Sequence, residues 1–209
     1  MTDKTVNKYG KARELEPEEV AHLLATARNG INGERNEMMI RFTLNCALRI
    51  SEACGATIGE IMNTDGTAKS DWILVSSKQK GGETTTIPID RKTQKDLETY
   101  FKSEAVFGRE GAPRRSATRP LFPSTNSKNG WFIVPNAGVQ LMGRLFKKAG
   151  LEGAKSHSLR RTKATAMDKA GVRLRVIQEA MRHKNLGTTQ KYLTVTRGDL
   201  RTAMEAVVY

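Results

Sequence analysis

The sequence contains little cysteine, little histidine and few aromatic residues. Among its 209 residues there are two cysteines, three histidines and 6% aromatic residues. Cys46 and Cys54 stand eight positions apart, without the second pair of ligands that a zinc site needs, which indicates two reduced, buried thiols. No glycine-rich phosphate loop occurs, so ATP is not indicated. The sequence therefore predicts a protein that uses neither a metal nor another cofactor.

Long apolar runs are also missing. No stretch reaches the roughly 18 consecutive apolar residues that a membrane-spanning helix needs. The amino terminus, MTDKTVNKYGKARELEP, lacks the apolar core of a secretory signal. We therefore expect a cytoplasmic protein, associated with the nucleoid if its partner is DNA, and no membrane partner.

Acidic residues are too few to balance the basic ones. The chain has 35 Lys and Arg against 22 Asp and Glu, which gives a formal net charge of +13 and an isoelectric point near 10.0. Such an excess favours a polyanionic partner, because each neutralised phosphate releases condensed counterions. Double-stranded DNA fits this charge, while RNA binding or a merely soluble basic protein stays open on charge alone.

The spacing of apolar residues predicts one mainly α-helical domain with a small antiparallel β-sheet. Residues 1–14 are polar and read as a flexible basic arm, and residues 105–130 read as a long loop with several arginines. The predicted helices run from Pro17 to about Asn29, from about Glu34 to Leu48, over Ser51–Gly55 with Ser51 as cap, after the cap Asp90, and over Val139–Ala149, Leu159–Ala170, Leu174–Arg182, Thr188–Thr194 and Leu200–Val208. The predicted strands cover residues 72–75 and 84–89, around a turn that contains KQKGG.

Four segments carry polar residues that helix and strand propensities do not explain. They are Ala47-Leu-Arg-Ile-Ser-Glu52, Lys78-Gln-Lys-Gly-Gly82, His157-Ser-Leu-Arg160 and His183-Lys-Asn-Leu-Gly-Thr-Thr-Gln-Lys-Tyr192. Each has an ordinary structural interpretation when it is taken alone. Arg49 can pair with Glu52, hairpin lysines are usually solvated, a His-x-x-Arg pair arises by chance, and a late tyrosine usually packs its ring.

Together, the four segments supply the groups that metal-free phosphoryl transfer on DNA requires. Arginines stabilise the charge of the pentacoordinate phosphate, and a lysine or histidine supplies the proton for the leaving oxygen. A tyrosine hydroxyl can attack phosphorus and keep the bond energy in a covalent ester. Cleavage is then reversible without ATP, which suits strand exchange.

In order and spacing, these segments resemble the tyrosine recombinases, the family of phage integrases, Xer proteins and fimbrial-type invertases. The stretch ALRISEACGATIGEI is similar to the family's first arginine box. The stretch from Ser156 to Val195 is similar to its second box, with a histidine nine positions before the tyrosine. The resemblance implies the integrase catalytic-domain fold and an enzyme that integrates, excises or inverts a mobile element.

The resemblance also implies a role for each matching residue. Arg49 and Arg160 would bind the scissile phosphate, with Glu52 supporting the first arginine, and Tyr192 would be the nucleophile that becomes linked to the 3′ phosphate. His157 would act as a general acid or base, and His183 would donate a hydrogen bond to the phosphate.

The resemblance leaves one choice open and shows one departure. A lysine of the hairpin would protonate the 5′ leaving oxygen, and counting back from Pro88 favours Lys80 over Lys78. Residue 182 is an arginine where the family usually has glycine, which can alter the local turn. Further DNA contacts are expected from Lys78, Arg161, Lys163 and Lys184.

The sequence starts close to the predicted catalytic domain, which covers residues 15–209. Most integrases carry an additional helical domain that clamps the opposite face of the duplex, and this chain shows no counterpart. A naturally minimal enzyme and a catalytic fragment are both open. We expect a monomer in solution and a homotetramer on paired DNA sites, with the helix Leu200–Val208 packed either on its own core or on a neighbouring subunit.

Two other functions are compatible with the same fold. A DNA-binding protein could keep the domain without strand exchange, although it would have no use for Tyr192. A type IB topoisomerase or telomere resolvase also uses a tyrosine nucleophile, and it would relax supercoils or resolve ends without pairing two sites. The target sequence and the direction of the reaction are not encoded in any recognisable motif.

Overall fold

The computed structural model describes residues 12–75, 84–103, 116–124, 131–190, 201–202 and 204–206. The chain divides into two compact units after residue 163. The first unit contains α1 (Pro17–Arg28), α2 (Gly33–Asn45), α3 (Ile50–Gly55), α4 (Ile58–Ile61), β1 (Asp71–Leu74), β2 (Thr85–Pro88), α5 (Arg91–Lys102) and α6 (Pro135–Lys148). Helix α7 (Ser158–Lys169) crosses the division, and α8 (Leu174–Ala180) and α9 (Leu186–Gln190) belong to the second unit. The prediction of a mainly helical domain with a small sheet is confirmed.

The two strands form one antiparallel pair whose register follows the alternation of apolar residues. Trp72 lies opposite Ile87, and both are buried, as is Leu74. The intervening Ile73 faces solvent, as expected when successive side chains point to opposite faces of a strand. The sheet therefore contributes only one face to the core.

The core of the first unit is built around three aromatic side chains. Phe42 of α2 contacts Trp72 with 5.7 Å between ring centroids and Phe122 with 6.1 Å. Phe122 belongs to residues 116–124, part of the predicted loop, yet it is fully buried. The Tyr100 hydroxyl donates to the Leu121 carbonyl at 3.1 Å, so this irregular segment is held by hydrogen bonds as well as by packing.

Several helix boundaries were predicted from local signals and match. Helix α1 starts with Pro17 at its first turn, where proline costs no hydrogen bond. The Asp90 carboxylate caps α5 by accepting from the main-chain N–H groups of Lys92 and Thr93, each at 3.0 Å, as the sequence predicted. None of the described helices is long and apolar enough to cross a membrane.

Other boundaries were predicted wrongly. Helix α2 ends at Asn45 instead of Leu48, because Ala47 adopts a left-handed backbone conformation with φ of 47°. Ser51 does not cap α3, since Arg49 occupies the cap position. Helix α6 begins at Pro135 rather than Val139, and the short α4 was not predicted. Helix α8 ends at Ala180 instead of Arg182, and α9 begins at Leu186 rather than Thr188, while its predicted end at Thr194 lies outside the described residues.

Ala47 makes a stability prediction possible. In Ala47→Gly, relief of a left-handed alanine, about 1–2 kcal/mol, is offset by the loss of a buried methyl group, about 1 kcal/mol, and by the greater freedom of the unfolded glycine chain. We expect the free energy of unfolding to change by less than about 1 kcal/mol, measured by denaturant unfolding.

The matched control is Ala53→Gly. Ala53 is also fully buried, but it lies inside α3, where glycine relieves nothing and weakens the helix. That variant should lose about 2 kcal/mol from the two costs together. Equal losses in the two variants would contradict the assignment of backbone strain to Ala47.

Candidate active site

The first arginine is fixed by a buried carboxylate one helical turn later. Arg49 precedes α3, and Glu52 lies in the first turn of that helix. The Glu52 carboxylate accepts from the main-chain N–H of Arg49 at 2.7 Å and from its guanidinium Nη1 at 2.6 Å. Only 3% of Glu52 is exposed, whereas the Arg49 side chain is partly exposed. Glu52 therefore caps α3 and orients Arg49 with the same two oxygens.

The second arginine joins the two arginine boxes in space. Arg160 lies on α7, is 2% exposed, and donates through Nη1 to the main-chain carbonyl of Ala47. Ala47 is only two positions before Arg49, so this contact brings Arg160 to the turn that presents Arg49. The left-handed conformation of Ala47 turns the chain here. This carbonyl fixes the position of the Arg160 guanidinium.

His157 completes a cluster of three cationic or titratable groups in the first unit. It immediately precedes α7, and its main-chain carbonyl accepts the N–H of Arg161 at 3.0 Å. The ring is exposed to solvent, yet partial desolvation, followed by the positive charges of Arg160 and Arg49, lowers the pKa of His157. The neutral imidazole is therefore favoured at neutral pH, as a proton acceptor requires.

His183 is held within the second unit by two polar side chains. Its Nδ1 lies 2.9 Å from the Thr189 hydroxyl, which is fully buried. The main-chain carbonyl of His183 accepts from Gln178 Nε2 at 3.0 Å, and its N–H donates to the Gln178 carbonyl at 3.1 Å. These contacts fix both the ring and the backbone of His183, and Nδ1 faces the Thr189 hydroxyl.

Two residues of α7 bind the segment that enters the domain. Thr162 Oγ1 accepts from the main-chain N–H of Leu15 at 2.8 Å, and Arg161 Nη1 donates to the Ala12 carbonyl at 3.1 Å. Arg13 pairs with Glu19 at 2.7 Å. Arg161, which was expected to contact DNA, therefore also has a structural contact. Of the other residues expected to contact DNA, Lys163 is half-buried on α7 and Lys184 is exposed in the second unit.

Three of the predicted site residues, Lys78, Lys80 and Tyr192, lie outside the described residues, so the choice between the two lysines and the position of the nucleophile stay predictions. Within the described part of the chain, no group of three or more His, Cys, Asp or Glu side chains is arranged to hold a metal ion.

Sequence reasoning missed the residues that support the site. Ala47, Gln178 and Thr189 act through a main-chain carbonyl, an amide and a hydroxyl. The only available signal was the polar Gln178 next to the apolar Ile177 in the predicted helix, since neither an alanine nor a threonine indicates such a contact.

The comparison with family models decides the kinship of the chain. The model described as the phage integrase family matches residues 13–198, which include both arginine boxes and Tyr192. The chain belongs to the phage integrase family. The predicted resemblance to tyrosine recombinases is thereby confirmed.

A curated relative is similar to the chain in sequence, and two solved structures are similar to it in fold. Tyrosine recombinase XerA of Pyrococcus horikoshii is 31% identical over 199 residues, which are 92% of this chain and 60% of the relative. The crystal structure of XerA recombinase superimposes with a TM-score of 0.69 at 21% identity, over 94% of this chain and 66% of that one. The Tn1549 transposon integrase in complex with transposon right end DNA gives 0.66 at 20% identity, covering 93% of this chain and 65% of that one. The chain thus spans about three fifths of the length of the curated relative.

The charges around His157 lead to a prediction about this integrase-family site. Replacing Arg49 by Gln removes one of the cations that lower the pKa of His157 and leaves the Glu52 carboxylate less neutralised. Both changes favour the protonated ring, so the pKa of His157 should rise, as measured by NMR titration of its ring protons in the folded protein.

Arg41→Gln provides the matched control. Arg41 lies on α2 and pairs with Glu37 at 2.7 Å, so its loss should leave the pKa of His157 unchanged. The pKa of His157 is lower in the folded than in the unfolded protein, so protonation of His157 favours unfolding as the pH falls through and below the unfolded value. Arg49→Gln should weaken this dependence of the free energy of unfolding on pH. A pKa that stays the same or falls in Arg49→Gln would show that Arg49 does not act on the ring.

Proposed function

We propose that this chain is a site-specific DNA recombinase that cleaves and rejoins DNA through a covalent bond to Tyr192. The observation that carries the proposal is the cluster of Arg49, Arg160 and His157 around the Ala47 turn. Two arginines next to a histidine with a lowered pKa suit a phosphodiester better than a neutral substrate. The family of the chain supports the same reaction.

The arginines would stabilise the transition state. The scissile phosphate would approach from solvent on the side of Arg49, which is partly exposed, and meet Arg160 behind it. Both guanidinium groups would donate to the non-bridging oxygens, whose charge grows as phosphorus becomes pentacoordinate. Glu52 and the Ala47 carbonyl would keep the guanidinium groups in place before the substrate arrives, so that little reorganisation is needed.

Proton transfers would accompany the attack. The Tyr192 oxygen forms a bond to phosphorus while its proton passes to neutral His157, and the bond from phosphorus to the 5′ oxygen breaks. Lys80, with Lys78 as the alternative, would give a proton to that oxygen, which leaves as a 5′ hydroxyl. His183 would donate a hydrogen bond to the phosphate. The 3′ phosphotyrosyl ester keeps the bond energy, so a 5′ hydroxyl of another strand can reverse the step.

The proposed substrate is double-stranded DNA. The net charge of +13 supports a polyanionic partner, and the Tn1549 integrase was solved with its transposon end DNA. A member that acts on such DNA would be associated with the nucleoid and with a mobile element. Arg161, Lys163 and Lys184, with Lys78, are the proposed further contacts to the DNA backbone.

The test of the reaction is a covalent complex on a nicked suicide substrate. Duplex DNA from the region that flanks the gene, incubated without metal or ATP, should give a protein–DNA band on a denaturing gel. The band should vanish in Tyr192→Phe, because that variant lacks the attacking oxygen. Tyr209→Phe is the matched control and should keep the band.

The remaining outcomes separate the alternative functions. Specific binding of the DNA without any band would favour a DNA-binding protein that has lost strand exchange. A Tyr192-dependent band with relaxation of supercoils, but without recombinant product from two paired sites, would favour a topoisomerase or resolvase. Both outcomes would contradict the recombinase proposal.

We further propose that the carboxy-terminal residues join copies of the chain into a tetramer on DNA. The described residues 201, 202, 204, 205 and 206 are all exposed, and the apolar Met204 is 78% exposed. Exposed apolar surface in the described part of this stretch favours packing on a neighbouring subunit. A monomer would then be expected at low concentration without DNA.

Met204→Glu tests this assembly. The charge should weaken the tetramer on paired DNA sites, as followed by analytical ultracentrifugation or native gels. The midpoint of unfolding of the monomer should stay the same, because Met204 is not buried there. Thr202→Glu adds the same charge two positions away and should assemble normally. A loss of monomer stability in Met204→Glu alone would show instead that the stretch packs on its own core.

A further inference from the structure

Arg182 has a backbone conformation that its side chain does not favour. Its φ is 50°, in the left-handed region, where a side chain costs energy and glycine does not. The other non-glycine residues with positive φ in the described structure are Asn32 and Ala47. Asparagine tolerates this region, and Ala47 supports the active site through its carbonyl. Strain that a protein keeps is typically found where function needs the residue, so Arg182 calls for an explanation of this kind.

The turn that carries Arg182 is rigid. Met181, which precedes it, is fully buried, and Gln178 is 6% exposed. The main chain of His183, which follows it, is bound in both directions by Gln178. A side chain on this turn is therefore presented in a fixed direction, next to the histidine that is proposed to contact the phosphate.

The surroundings of the turn are cationic. Between residues 173 and 185 there are four cationic side chains and a single carboxylate, that of Glu179. Arg175 pairs with Glu179 at 2.7 Å and donates to Gln178 Oε1 at 3.1 Å. Arg182 Nη1 donates to the Ala180 carbonyl at 3.0 Å, within the same turn.

A cavity of about 590 Å³ opens at the same turn. It is lined by Leu174, Arg175, Gln178, Lys184 and Asn185, so its walls carry two cationic and two amide side chains. Such a lining suits an anion with several acceptor oxygens. Arg182 is not among the lining residues, but it belongs to the same unit and stands two positions before Lys184, so the cavity and the strained arginine can act on one ligand.

We propose that Arg182, together with Arg175 and Lys184, binds a backbone phosphate of double-stranded DNA other than the phosphate that reacts. The inference rests on the proposed function for the identity of the ligand. This contact fixes the duplex beside His183. The free energy gained by binding the phosphate offsets the backbone strain at Arg182. No covalent step is involved.

The experiment measures binding of a duplex of about 30 base pairs to the Tyr192→Phe protein over a series of salt concentrations. Each phosphate contact contributes about −0.9 to the slope of log K against log salt, so Arg182→Gly should lose that amount and bind about eightfold more weakly at about 0.1 M salt. Arg182→Lys keeps the charge and should retain the slope. Asn32→Gly relieves a left-handed residue in the first unit and should leave DNA binding unchanged.

Thermal unfolding supplies a second measurement on the same proteins. Arg182→Gly should leave Tm about unchanged, because the relief of strain, about 1–2 kcal/mol, is offset by the freedom of the unfolded glycine chain and the lost bond to the Ala180 carbonyl. Arg182→Lys should unfold at the temperature of the parent protein. A variant that is as stable as the parent protein and binds DNA more weakly cannot owe its weaker binding to partial unfolding.

Two results would overturn the inference. The first is an Arg182→Gly protein that keeps the slope and affinity of the parent. The second is an Arg182→Lys protein that loses as much as Arg182→Gly, because that result would assign the effect to the shape of the turn. The suicide-substrate assay separates this from the proposed function. If the protein forms a Tyr192-dependent covalent band and Arg182→Gly leaves the salt slope unchanged, only the proposed Arg182 site is overturned. If Arg182→Gly reduces the slope but no band forms, the Arg182 site is supported and the recombinase proposal is contradicted.

Discussion

The contact between Arg160 and the carbonyl of Ala47 is the interaction on which the candidate site depends. It joins two segments that are more than a hundred positions apart in the sequence. Burying a guanidinium is costly unless its donors are satisfied, so the contact also fixes α7 against the turn before α3. His157 precedes α7 and Arg49 precedes α3. The hydrogen bond between Arg160 and Ala47 thus positions the start of α7 and the start of α3 together.

Electrostatic balance follows from that geometry. Arg49 and Arg160 lie close enough for both to lower the pKa of His157, so the site carries an excess of positive charge. Glu52 balances Arg49 from the buried side. The cluster therefore suits an anion, and the same positive charges favour the neutral form of the histidine, which can accept a proton.

Much of this was predictable because it is local. Asp90 and Pro17 have the residue types that start helices, and the three-residue spacings of Arg49 with Glu52 and of His157 with Arg160 already placed each pair together. The end of α2 was not predictable, because alanine gives no signal for a left-handed turn. The start of α6 was missed although Pro135 suits a first helical turn. The meeting of Arg160 with Ala47 depends on packing between distant segments, which periodicity cannot show.

Neutral groups are among the partners of several charged or titratable side chains in both units. Arg160 donates to a carbonyl, Arg182 donates to a carbonyl, and His183 meets a hydroxyl. A carboxylate in those places would fix the side chain equally well but would compete with the phosphate for its charge. Carbonyl and hydroxyl partners restrict the geometry without competing in this way. The backbone strain at Ala47 and Arg182 is then the cost of aiming main-chain and cationic groups where an anion can use them.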